Sequence, residues 1–336
     1  MTFFTSSNTL ATVYGREIER EWFARSYFAR MLGALPTSET PDLGIPLAGP
    51  YTPIVMKAEL LRNPGQTISI PYFAALAATA TTDNLTSSDL EGNETALTDS
   101  AVTITPAERG KAVAWRNRIQ RQVNYEMMDA ARVLLGGWAA QKLDVDIIEI
   151  AEANTTNVVF SGNAASRDEI DTSDTLAPVD FQKAVAKMKF VDAQIPGGEG
   201  GGFIALVHPY AAYQLKRASD WTNYHQYAGV RGNENPLFRH PNLIGWIDDV
   251  AIFETTLISR ANNSNSPAVS VAKNLVLSAR CLAVAALMGE VAGDSFGKVW
   301  DWRTRSQTDY GRSLGVGIIA DYEAKLLTDK YITRIQ

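Results

Sequence analysis

Cysteine is almost absent. Cys281 stands alone in 336 residues, which excludes an internal disulfide and a cysteine-based metal cluster. It lies in the apolar run from Leu275 to Met288, beside Leu282, Val284 and Leu287, where a thiol acts as a small buried hydrophobe. Histidine is scarce too: His208, His225 and His240 are the only three. None has a companion at ligand spacing, and no His-Glu-x-x-His or calcium-loop pattern occurs. No apolar run reaches the roughly 18 residues of a membrane span. The opening, Met1 to Thr5, lacks the basic start and long apolar core of a secretion signal. Basic residues are not in excess: 31 against 37 acids give a net charge of −6. A protein that coats DNA by neutralising phosphates is normally basic, so the chain encloses nucleic acid, if at all, without gripping it.

Catalytic signatures are missing as well. The glycine run Gly197 to Gly202 carries Glu199, lacks a following Gly-Lys-Ser/Thr and precedes a strand, so it is not a phosphate cradle. Gly315-Val316-Gly317 has no third glycine at dinucleotide spacing. No Gly-x-Ser-x-Gly elbow exists. His208, in Val207-His208-Pro209-Tyr210, sits where a strand hands over to a helix, and capping that corner is the expected role. The acid pairs Asp144/Asp146 and Asp248/Asp249 read as solvated faces or turns rather than acid–base pairs. The expectation is a protein with no cofactor, no metal and no enzymatic activity.

What is present is an unusual arrangement. The first residues predict an arm: a charged helix over roughly 13–32 that includes Trp22, then a segment with prolines at 36, 41, 46, 50 and 53 that stays extended. Such an arm needs another surface to lie on. Strand patterns over 54–61, 66–72 and 101–105 predict a two-way β ribbon. Its tip, Asp83 to Asp99, holds five acids and no base. A basic strip follows, with Arg109, Lys111, Arg116, Arg118 and Arg121 and no acid between them. Residues 120–153 carry a long helical stripe, interrupted at Gly136-Gly137, that predicts a spine of roughly 45–50 Å. Phe181 to Val191 predicts a helix capped by Asp180. Residues 203–290 alternate strand and helix as an α/β unit, with a strand over 203–207, a helix over 209–218, a strand over 250–254 and an apolar stretch over 274–287. Strands over 298–305 and 315–327 close the chain.

Several motifs resemble one family in order. Leu90-Glu91-Gly92-Asn93-Glu94-Thr95-Ala96-Leu97-Thr98 resembles a Leu-Glu-Gly-Asn-Glu-Glu-Ala-Leu segment of tailed-phage major capsid proteins of the coliphage-N-four-like group. Gly137-Trp138-Ala139-Ala140, Phe160-Ser161-Gly162-Asn163-Ala164, Leu206-Val207-His208-Pro209-Tyr210, Asn235-Pro236-Leu237-Phe238 and Asp309-Tyr310-Gly311-Arg312-Ser313-Leu314-Gly315-Val316 are similar to further segments of it. The family's Arg-His-Ala-Val after the second ribbon strand is Arg109-Gly110-Lys111-Ala112-Val113 here, and residues 1–50 match none of its motifs.

The resemblance implies an α+β Hong-Kong-97-type capsid fold. It divides into an N-terminal arm (1–53), an extended loop or β ribbon (54–118), a peripheral domain with the spine helix (119–202), an α/β axial domain (203–290) and a return to the peripheral domain (291–336). It implies a major capsid protein that assembles with itself into hexamers and pentamers of an icosahedral phage head, is located in the virion, is assembled in the bacterial cytoplasm and encloses double-stranded DNA. A portal, a separate scaffolding protein and a decoration protein are the further partners implied, with no membrane; no long helical prodomain is present, so no cleavage of the subunit is expected. The interface residues expected are Asp89, Glu91, Asn93, Glu94 and Asp99 of the tip, Arg109, Lys111, Arg116, Arg118 and Arg121 of the strip, and Trp22 of the arm. An encapsulin-like cellular shell of the same fold is the alternative, and an α/β enzyme using His208 a more remote one.

Overall fold

In the computed structural model, residues 26, 28, 32–33, 52–57, 67–73, 99–122, 126–153, 156–196, 202–221, 243–264, 268–287, 300–308 and 312–336 are described. Trp22, most of the arm, the acidic tip up to Thr98, the glycine run up to Gly201 and the loop carrying His225 and His240 lie outside the described residues.

A long helix, two sheets and a ribbon organise the molecule. The first sheet orders β1 (Leu32–Gly33), β2 (Ile54–Lys57), β13 (Leu282–Leu287), β15 (Ser313–Leu326) and β14 (Asp301–Thr308), with β5 (Ala107–Arg116) on the other edge of β15. Leu32 and Gly33 pair with Ile54 and Val55, so the helix expected over 13–32 does not extend to this point; these residues are strand. The second sheet orders β6 (Val158–Val159), β16 (Ile332–Ile335), β12 (Asn274–Leu277), β7 (Phe203–Val207), β9 (Val250–Glu254) and β8 (Leu243–Ile247). The ribbon is β3 (Ile68–Phe73) antiparallel to β4 (Asp99–Ile104), in register from Ile68 opposite Ile104 to Phe73 opposite Asp99, and a small hairpin pairs β10 (Arg260–Asn262) with β11 (Ser270–Ala272).

Sheet membership cuts across the sequence-based segments. Residues 282–287, within the 203–290 segment, belong to the first sheet, and Ile332–Ile335, within the 291–336 segment, belong to the second. The apolar stretch 274–287 is therefore two strands. The chain turns between them at Arg280, which has φ 54°, and the turn is fastened by the Cys281 amide and thiol, both donating to the Pro53 carbonyl.

The spine is α2 (Met127–Ala153), preceded by the short α1 (Asn117–Gln122). Its 27 residues span about 40 Å, shorter than the expectation because the helical pattern over 120–126 belongs partly to α1. It runs unbroken through Gly136-Gly137 with Gly136 buried. Ala131, Leu135, Ala139, Leu143, Ile147 and Ala151 pack into the core between the two sheets, so more than one stripe of the helix is apolar. Trp300 binds helix to sheet: its ring meets Trp138 of α2 edge-on at 5.7 Å and Tyr322 of β15 at 5.8 Å, contacts of about 0.5–1.5 kcal/mol beyond burial.

The far face of the second sheet is covered by α3 (Pro178–Phe190) and α4 (Pro209–Arg217). Phe181, Ala184, Met188, Ala212 and Leu215 pack on Phe203, Ala205, Val207 and Ile252. Both helices start with proline at the first position, where its missing N–H is no loss. The cap of α3 is Ala177, and Asp180 acts from inside the first turn, its carboxylate accepting from the Ala177 amide at 3.1 Å. Gly202 enters β7 where a side chain has no room: a Cβ would stand 2.7 Å from the Asp249 carbonyl and from the Trp246 ring.

Candidate assembly interface

The spine helix carries three buried carboxylates, and each holds a different part of the chain. Asp144 (3% exposed) accepts from the Ser26 hydroxyl at 2.7 Å and the Phe28 amide at 3.0 Å. Ser26 and Phe28 are themselves buried, and Phe28 joins the core. Here the arm docks on its own subunit. Asp146 (8% exposed) accepts from the Tyr322 hydroxyl at 2.9 Å and from Lys142 at 2.5 Å, with Arg109 of β5 3.5 Å away. Glu152 (5% exposed) accepts from the amide and hydroxyl of Ser259, with Lys273 at 3.6 Å. Asp144 and Asp146 are not the solvated pair that their spacing suggested. They fall within the apolar face of α2, between Leu143 and Ile147, and that phase is the signal by which a sequence reading could have found them. Burial, the charge of Asp146 and its hydrogen bond together push the Tyr322 phenol well above its ordinary range. It stays a donor.

The basic strip divides in two. Arg109 is drawn inward: it donates to Glu323 at 2.6 Å and its guanidinium lies 5.3 Å from the Tyr322 ring centre. The acids that neutralise Arg109, Asp146 and Glu323, come from α2 and β15, far away in sequence. Lys111, Arg116 and Arg118 are exposed. Arg121 falls in α1. Asp99 opens β4, opposite Phe73. Asp89, Glu91, Asn93, Glu94 and Trp22 are outside the described residues.

Beside the strip lies an open sheet face. Along β15 the residues alternate, with Val316, Ile318, Ala320, Tyr322 and Ala324 buried toward the helix. The opposite face is paved by Gly110, Ala112 and Ala114 of β5 and by Gly315 and Gly317 of β15. A shallow groove of about 700 Å³ runs over it, with Glu108, Lys111 and Arg303 at its sides. The paving is tight as well as flat: a Cβ on Gly110 would lie 2.9 Å from the Ile318 carbonyl. The ribbon is rooted next to this sheet. Ile68 and Ile104 pack on Ala283 and Ala285 of β13, and Lys325 of β15 donates to the Thr103 carbonyl at 2.9 Å.

His208 and Cys281, the residue types best suited to chemistry, have structural roles. His208 caps α4, its Nδ1 accepting from the Tyr210 amide at 3.2 Å, and burial followed by the nearby Arg260 lowers its pKa. The Cys281 thiol is fully buried, and burial pushes its pKa up to about 12. Among the described residues no group of acids, histidines and cysteine is placed to hold a metal, and no helix is long and apolar enough to cross a membrane.

A spine helix between two sheets, a rooted ribbon and a docked arm make up an α+β fold of the Hong-Kong-97 type. The capsid of Ralstonia phage GP4 superposes with a TM-score of 0.69 at 17% identity, covering 93% of this chain and 90% of that one. The cyanophage Pam1 capsid gives 0.70 at 16%, covering 93% and 92%. The capsid of Helicobacter pylori bacteriophage KHP30 gives 0.62 at 14%, covering 93% and 90%. No curated protein matches the chain by sequence. A family described as phage capsid protein matches residues 12–166, a span that takes in most of the arm, the ribbon, β5 and the spine. Residues 12–166 are thus similar to a phage capsid family, and the fold as a whole is that of the phage capsid subunits above.

Proposed function

We propose that this chain forms hexamers and pentamers that close an icosahedral head around double-stranded DNA, and that its role in the head is structural rather than enzymatic. The observation that carries the reading is the capsid architecture over 93% of the chain, combined with a family match reaching into the arm. The first sheet, with β5, α1 and the ribbon, acts as the peripheral part. The second sheet with α3 and α4 acts as the axial part. Residues 1–53 act as the arm and 54–118 as the extended loop and its root. The net charge of −6 fits a wall that encloses DNA without neutralising it. Assembly takes place in the host cytoplasm with a separate scaffolding protein and a portal, and a decoration protein can bind outside.

Between neighbours, the acidic tip that includes Asp89, Glu91, Asn93, Glu94 and Asp99 lies over the exposed cations Lys111, Arg116 and Arg118 of the next subunit, with Arg121 and Trp22 as further contacts. Arg109 is left out because its partners are internal. Exposed charge pairs contribute more to register and partner choice than to affinity. The test is particle yield by electron microscopy after reversing Glu91 and Glu94 to Lys. The expected result is a fall in closed particles, partly restored when Lys111 and Arg116 are reversed to Glu. An unchanged yield contradicts the pairing. Intact wild-type particles lacking nuclease-protected DNA when produced with portal and packaging proteins contradict the role in DNA enclosure.

A further inference from the structure

Two unlike patches lie at opposite ends of the second sheet. β7 and β9 run parallel, Phe203 beside Val250 and Val207 beside Glu254. At the Val250 end α3 finishes in Phe190, which is 89% exposed. Around it, Lys189 pairs with Asp249, while Asp192 and Asp248, both exposed, carry no ion pair among the described residues. Both sit at positive φ, 53° and 47°, in turns that hold these acids at the surface. This end therefore presents a bare aromatic ring flanked by acids.

At the Glu254 end α4 exposes Tyr210 (65%) and Tyr213 (59%). Arg260 lies 4.5 Å from the Tyr210 ring centre and Arg217 lies 5.4 Å from that of Tyr213, also donating to its hydroxyl at 3.2 Å. His208 stacks beside Tyr210 at 5.6 Å. Lys216 is paired with Glu254, whereas Arg217 and Arg260 have no carboxylate partner among the described residues. This end presents two aromatic rings, each accompanied by a cation and held in place by it. Tyrosine and arginine are the side chains enriched where interfaces are tightest.

We infer that these patches are the two halves of one contact: the Phe190 end of one copy docks on the Tyr210–Tyr213–Arg217–Arg260 face of the next copy around the capsomer. The inference rests on the proposed ring assembly and names the axial surface that closes it. A ring requires heterologous contacts between unlike surfaces, whereas a twofold dimer requires each surface to match itself. Neither patch matches itself, since acids would face acids and arginines face arginines. Each matches the other in charge and in aromatic character, with Phe190 set against the tyrosines and Asp192 and Asp248 against the two arginines.

Paired cysteines in the full chain test this. Phe190→Cys is combined with Tyr213→Cys and, in a second variant, with Tyr210→Cys, and purified particles are oxidised and run on non-reducing gels. Cys281 is fully buried and stays silent. The expected result is a ladder ending at pentamer and hexamer for at least one pair, with monomer for each single variant. Monomer from both pairs in intact particles overturns the inference and leaves the capsid reading standing. Absence of particles from the wild-type chain removes the ring reading and this contact with it. Independently, Arg260→Glu should lower particle yield about tenfold without changing the melting temperature, and adding Asp248→Lys should restore it. Unchanged yield in Arg260→Glu also overturns the inference. Monomer from both cysteine pairs, together with reduced nucleic-acid content in Tyr210→Ala/Tyr213→Ala particles, would overturn the inference and assign the face to nucleic acid instead.

Discussion

The two sheets on either side of the spine helix are built by different rules. The strands of the second sheet are covered on both faces: all five residues of β7 and all four of β12 are buried. One side meets α2 and the other meets α3 and α4. The first sheet is covered on both faces at β13, where the ribbon packs on Ala283 and Ala285, but on one face only along β15 and β5. β15 alternates buried and half-buried residues over most of its length, and its outer face with β5 is mostly glycine, alanine and charge, with Ile319 beside Gly110. The second sheet completes its core within the subunit, and the contact proposed for it lies at the strand ends. The first sheet keeps the face of β5 and β15 open, beside a ribbon rooted on β13. In the proposed assembly, the second sheet serves folding and the open face of β5 and β15 serves contacts between subunits.

That contrast can be broken most sharply by placing a carboxylate on each sheet. Leu206→Asp buries an unpaired charge between α2 and the second sheet, so the expected outcome is loss of soluble folded protein, a cost of several kcal/mol. Ile319→Asp, on the outer face of the first sheet, should leave circular dichroism and melting close to wild type and abolish closed particles. Equal destabilisation by both would show that the outer face is part of the core.

The spine carboxylates give the next largest effects. Asp146→Ala leaves Arg109, Lys142 and Tyr322 without their shared acceptor and should lower unfolding free energy by about 3 kcal/mol. Tyr322→Phe removes only the hydroxyl donor and should cost about 1 kcal/mol. Both are read by denaturant titration, and Tyr322→Phe costing as much as Asp146→Ala would contradict the assignment. Asp144→Ala should release the arm at a cost of about 1–2 kcal/mol, with trypsin cutting faster after Arg25 or Arg30 while the remainder stays protected. An unchanged cleavage rate would mean that Ser26 and Phe28 are held by other contacts.

Surface charge should change assembly and leave folding alone. Lys111→Glu/Arg116→Glu/Arg118→Glu is expected to melt as wild type and to assemble poorly, with a defect that shrinks as salt screens the new repulsion. The smallest effect at neutral pH belongs to Cys281. Its thiol should resist alkylation at pH 8 until the protein unfolds. Its folded pKa is raised from 9.0 to about 12, so its contribution to stability is complete below pH 9 and is lost as pH climbs toward 12. Rapid labelling of the folded protein would contradict its burial.

Short-range patterns were legible in the sequence where they alone decide the structure. β7 and β9 lie where apolar runs bounded by turn residues placed them, α4 begins at Pro209 as expected, and His208 takes the cap. What escaped was decided at long range. Asp144 looked solvated because its partners, Ser26 and Phe28, are more than a hundred residues away. Arg109 looked free because Glu323 and Asp146 reach it only in the fold. The 274–287 stretch read as one element because its break at Arg280 depends on backbone contacts with Pro53 and Thr52. The patches at Phe190 and Tyr213 lie on helices whose exposed faces only the packed structure identifies.

The central claim is that this chain acts by assembling with copies of itself into a closed shell. The mass of the particles it forms, measured by analytical ultracentrifugation and matched to electron micrographs, tests that claim most directly. The account predicts megadalton species that are closed and hollow, with Phe190 and Tyr213 buried between neighbours. A stable species of one or two subunits, under every condition that keeps the chain folded and with its scaffolding partner present, would contradict it.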